Sequence, residues 1–127
     1  MTSRIRTYLA VEVLAFFLAA SAHAGLTLHG HEHQKAMIAE TVIGIVLSLG
    51  LLTSFVSSHA TRIAAISVQA FALLGTLVGV SVIIAGIGPR SIPDYAFHAG
   101  ILIVLGMGLR TAVMAGQKIT GRVPLPR

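Results

Sequence analysis

Hydrophobic positions gather into four long runs divided by short polar connections. The longest, RIAAISVQAFALLGTLVGVSVIIAG from Arg62 to Gly86, has no formal charge after Arg62, and Gln69 is its one large polar side chain. Such a run covers a hydrocarbon core, which takes about 20 apolar residues rising about 1.5 Å each. The other runs cover 5–24, 36–56 and 93–114, so the pattern predicts an all-α membrane protein with spans at 5–24, 36–56, 62–86 and 93–114. Short connections make neighbouring spans antiparallel, and the expected architecture is an up-down four-transmembrane-helix bundle.

The boundaries carry their own signals. Ser57–Thr61 reads as a tight turn holding His59 in solvent. Gly86 and Pro89 end the third span, because proline cannot continue a helix and glycine supplies a permissive backbone. Ser91 and Asp94 have capping-box spacing and predict the start of the fourth. The first run has a second reading. Arg4 and Arg6, the apolar stretch and Ser21-Ala22-His23-Ala24 also resemble a cleaved signal peptide. Glu12 favours a retained helix, since a carboxylate there weakens insertion by about 2.5 kcal/mol or more. Both readings put the following loop on the outer side. Residues 1–116 form one transmembrane domain, and 117–127 read as a flexible basic tail drawn to anionic lipid.

Composition fits this picture. The chain of 127 residues is 55% hydrophobic and 10% charged, and its mean hydropathy is +0.89. Soluble domains average about 25% charged residues. The formal net charge of +5 would suggest nucleic acid if the basic residues formed one soluble patch. They gather at span ends instead, so no nucleic-acid partner is expected. Arg4, Arg6, Arg62, Arg110, Lys118, Arg122 and Arg127 fall on one side, and Lys35 and Arg90 on the other. That bias places both termini in the cytoplasm and the His-rich loop GLTLHGHEHQK outside a bacterial inner membrane. With no cysteine, disulfides and thiolate sites are excluded.

Two polar groups lie inside the apolar runs. Glu12 and Gln69 occupy matching depths in parallel spans, so the spacing predicts a Glu12–Gln69 hydrogen bond. A buried carboxyl group is either an interhelical clamp or a proton-coupled site. The second group lies toward the outer edge: His23, His29, His31, Glu32, His33, Glu40, Asp94 and His98. One stripe of the second span carries His33, Met37, Glu40, Gly44, Ser48 and Leu51. The small residues Gly44 and Ser48 suit a helix contact, which turns Glu40 inward. Asp94 and His98 share a face of the fourth span, so His98 is expected to meet Glu40 and His23. Three readings remain open for this group. It is an interfacial polar ring, a divalent-metal or proton site with His33, Glu40 and His98 as candidate ligands, or a haem site using His23 and His98. No cofactor is the first expectation. Gly75, Gly79 and Gly86 form a packing stripe on the third span, serving either the bundle or a homodimer.

The four-span plan, with a carboxylate in Ala10-Val11-Glu12-Val13, is similar to that of the small multidrug resistance family. Those transporters use the carboxylate for proton-coupled export of cations and work as dimers, and the resemblance implies that role for Glu12. It covers the helix count and this one residue. The chain has no tryptophan, and Tyr8 and Tyr95 lie near span ends, away from an aromatic lining for cations. The segments HQKAMIAETVIG, QAFALLGTLVG and PDYAFH more closely resemble a group of small bacterial membrane proteins to which no activity attaches. No nucleophile–base order or phosphate loop is present. The sequence therefore predicts a non-enzymatic accessory or structural membrane subunit, bound to lipid and open to a homodimer or a larger complex. The alternatives are a small proton- or metal-linked transporter and a haem-binding anchor.

Overall fold

The computed structural model describes residues 2–88 and 90–120, with side chains to Ala115. It contains four helices: α1 (Thr2–His23), α2 (Gln34–Val56), α3 (Thr61–Ile84) and α4 (Ile92–Thr120). All four are long and apolar enough to cross a membrane. The chain runs up and down. One end of the bundle carries the α1 N-terminus and the 57–60 turn; the other carries the 24–33 and 85–91 loops. These are called the turn end and the loop end.

Each helix buries a narrow stripe and leaves the rest of its circumference apolar. In α1 the stripe is Ile5, Leu9, Glu12, Phe16, Ala20 and His23, stepping by three and four residues as one helical face must. In α3 it is Thr61, Ala65, Gln69, Ala72, Thr76 and Ile83. Leu14, Leu18, Leu52, Leu74 and Ile103 are each at least 60% exposed. Glu12, Gln69, Glu40 and Asp94 are buried. Exposed leucines on the outside, with buried carboxylates set among the apolar core residues Leu9, Phe16, Leu47 and Leu105, suit a lipid surround, where the driving force is close packing rather than water exclusion.

Helices α1 and α3 each touch all three others, whereas α2 and α4 stand apart across the diagonal. The third span is the longest apolar run, yet in the fold α1 and α3 share the centre. Small residues allow the approach. A Cβ on Gly50 of α2 would stand 2.5 Å from Val68 of α3, and one on Gly44 would stand 3.2 Å from the Phe17 ring of α1. Gly50→Leu should therefore push α2 off α3 and lower stability by about 1–3 kcal/mol, read as a reduced SDS-unfolding midpoint by circular dichroism.

Two sequence expectations change. Gly86 is no part of a packing stripe: α3 ends at Ile84, and Gly86 has φ of +83° in the turn that closes the helix. There its amide donates to Ile83 O at 3.0 Å and that of Ile87 to Val82 O at 3.1 Å, a helix stop needing a left-handed residue. At the other end of the chain, α4 continues to Thr120 and takes in 117–120 of the expected tail. The remainder, 121–127, lies outside the described residues.

Candidate functional site

Near the middle of the bundle, on its turn-end side, Glu12 and Gln69 meet as their depths predict. Gln69 Nε2 donates to Glu12 Oε1 at 3.0 Å and to Oε2 at 3.1 Å, with both side chains fully buried. The opposite amide atom, Gln69 Oε1, is buried without a hydrogen-bond partner. What sequence reasoning missed is the lid. Gly108 of α4 lies directly over the pair, and a Cβ there would collide with Gln69 Nε2 and Glu12 Oε1 and stand 3.2 Å from Tyr8. Its signal was the α4 stripe Ile101, Leu105, Gly108, Ala112 and Ala115, stepping by four and three and turning from large to small side chains at Gly108. Arg6 and Arg62 close this end. Arg6 donates to Ser54 O of α2 and lies 4.5 Å from the Phe55 ring centroid, and Arg62 Nε donates to Ala112 O at 3.3 Å.

Glu12→Gln keeps a side chain able to bond Gln69 and should change stability by less than about 1 kcal/mol. Glu12→Leu strands a buried amide and should cost about 1–3 kcal/mol. Thermal unfolding of the two variants in one detergent separates these outcomes.

At the loop end, His23 is the hub. Its Nδ1 is 2.8 Å from Glu40 Oε2 of α2, and its Nε2 is 3.2 Å from Asp94 Oδ1 of α4. A doubly donating imidazolium satisfies both contacts. Asp94 also completes the capping box: its Oδ2 accepts from Ser91 N at 2.9 Å and from Ser91 Oγ at 2.5 Å. Three helices are thus pinned through one ring.

The other histidines fall elsewhere. His33, a candidate ligand from its stripe with Glu40, instead caps α2: its Nδ1 accepts from Ala36 N at 3.2 Å, and its ring packs edge-on against His23 with centroids 6.4 Å apart. His98 does not reach Glu40 or His23 by hydrogen bond; its Nδ1 donates to Asp94 O at 2.7 Å. The metal candidates His33, Glu40 and His98 therefore do not converge, and no trio of such side chains among the described residues is arranged to hold an ion. His23 and His98 do not form a pair of free imidazoles either, because both nitrogens of His23 face carboxylates. In the loop, amides of Glu32 itself and of Gly30 hold the exposed Glu32 carboxyl below the usual carboxylate range. His29 and His59 are exposed.

Between α2 and α3, behind the hub, lies a cavity of about 570 Å³. The two helices are joined by a tight turn at one end and diverge toward the other. A Cβ on Gly75 would still touch Ile43 of α2 at 2.9 Å; one on Gly79, a turn higher, would meet only His98 of α4. Gly75 and Gly79 therefore both face into the bundle, while Gly44 lies against α1 and Ser48 bonds back to Gly44 O at 2.8 Å. Phe16, Phe97, Glu40, Thr76 and His98 contribute to the cavity walls.

The fold and its polar centres define a four-helix bundle with four candidate membrane spans, held by buried interhelical hydrogen bonds. Comparison of the chain with protein-family models, curated proteins and solved structures found no match.

Proposed function

We propose that this is a non-enzymatic inner-membrane protein, an accessory or structural subunit, with the turn end and both termini cytoplasmic and the His-rich loop outside. One observation carries the reading: each buried carboxylate is engaged by a partner from a different helix. Glu12 is held by Gln69, and Glu40 and Asp94 are bridged by His23. Such contacts determine which helix faces fit together. The orientation rests on the positive-inside bias of the lysines and arginines. The deciding experiment reconstitutes the protein into liposomes under an imposed pH gradient. Proton leak and solute uptake should match protein-free vesicles, and gradient-driven uptake that disappears in Glu12→Gln would reject the proposal.

A second reading has one observation in its favour. An amide flip would turn the unpartnered Gln69 Oε1 toward Glu12, where it accepts from a protonated carboxyl. The pair could then hold Glu12 in either protonation state, as a proton-linked transporter needs. The same liposome assay distinguishes the two, because only this reading makes uptake depend on a carboxyl at position 12.

A further inference from the structure

The cavity between α2 and α3 has two chemically distinct parts. Its deep walls are apolar or weakly polar: Phe16 and Phe97 meet edge-to-face with centroids 6.1 Å apart, and Ile43, Gly75 and Thr76 close the bottom. Thr76 directs its hydroxyl to Ala72 O at 2.8 Å, so its proton is not available to a guest. Toward the loop end the wall carries His98 and Glu40. His98 Nδ1 faces a backbone carbonyl, which can only accept, so the proton resides on Nδ1 and the neutral ring presents the Nε2 lone pair. That nitrogen is directed toward Gly79, 3.3 Å from where a Cβ would stand, and His98 lines the cavity. Glu40 bonds His23 through Oε2, and its Oε1 has no protein partner among the described residues. At depth the polar wall therefore offers two acceptors, His98 and Glu40, while Gln34 and Lys35 on the first turn of α2 supply donors at the rim.

We infer that this cavity is a binding site for an uncharged, single-chain amphiphile with a hydroxyl-bearing head, of the monoacylglycerol type. Its hydroxyls donate to His98 Nε2 and Glu40 Oε1, and its chain lies against Phe16, Phe97 and Ile43. The volume of about 570 Å³ falls within the range of about 300–1,000 Å³ that holds one small ligand. An anionic head is opposed by two acceptors. A cationic head is less favoured, because Lys35 lines the same cavity as Glu40. A neutral donor is the remaining fit. This site goes beyond the structural role proposed above and does not depend on whether Glu12 carries protons.

The test uses the full chain in phosphatidylcholine nanodiscs with a monoacylglycerol carrying a photoreactive diazirine in its chain. Labelling should map to 36–43 and 75–83. It should be displaced by unlabelled monooleoylglycerol, and much less by its dimethyl ether, which cannot donate. His98→Phe removes the acceptor at similar size and should weaken competition about fivefold to tenfold, the loss expected for one hydrogen bond. Ala39→Trp fills the mouth and should abolish labelling while leaving the unfolding midpoint within error. Equal competition by the ether, stronger competition by a long-chain fatty acid or alkylammonium, or labelling spread over every lipid-facing surface would overturn the proposal. Because the chain has no cysteine, Ala39→Cys gives a single thiol. Crosslinking of that thiol to a second copy in place of labelling would assign the cleft to a dimer, and would also overturn it.

Discussion

His23→Leu should be the most damaging single substitution in the bundle. It leaves Glu40 and Asp94, both buried, without the ring that holds them. Removing one partner from a buried ionic contact costs roughly 3–5 kcal/mol, mainly because the surviving charge has no compensation. Native stabilities total only about 5–15 kcal/mol, so this is a large fraction. The informative comparison is His23→Leu with Glu40→Leu. Asp94 retains its two bonds from Ser91 in that double variant, and Glu40 no longer needs a partner. The double variant should therefore be more stable than the single one. SDS-unfolding midpoints by circular dichroism give both values; a double variant as weak as the single one would show that His23 is not acting through Glu40.

Gly108→Leu ranks second. Its side chain would enter the space of the Glu12–Gln69 pair, where even a Cβ collides with both partners. Overpacking alone costs about 1–3 kcal/mol, and breaking a buried hydrogen bond adds about 1–3 kcal/mol. The expected total is about 2–6 kcal/mol. The opposing substitution is Gln69→Ala, which opens space beneath position 108. Combined with Gly108→Leu it should recover part of the loss, so the two effects should be non-additive by about 0.5–3 kcal/mol. Strict additivity would place the strain elsewhere on α4.

The four helices were legible because lipid-spanning length and apolar run are the same signal, and polar turns interrupt each run. The Glu12–Gln69 pair was legible too, since two parallel spans with equal offsets put their side chains at one depth. Glu40 was recognisable as inward-facing and His23 and Asp94 as members of the outer polar group, but the expected partner of Glu40 and His23 was His98, and the pairing through His23 was not legible. His23 was only one histidine among several near a loop. Its role as hub follows from where α1 ends relative to α2 and α4, a matter of helix rotation rather than spacing. His33 shared a stripe with Glu40, yet its position just before α2 allows its ring to cap the helix, and that local bond prevailed.

By itself, the sequence determined that the chain forms four apolar helices, how they alternate, and which residues would be expensive to leave facing lipid. Those properties depend on length, hydropathy and local capping, all of which act within one helix or its flanking turn. The tertiary structure decided that α1 and α3 share the centre, that Gly108 is the glycine on which the buried pair depends, that Gly86 serves a helix stop rather than a packing stripe, and that α2 and α3 part to leave a cavity beside His98. Each of these depends on the rotation and divergence of helices about one another, set by small differences in side-chain size summed over whole interfaces.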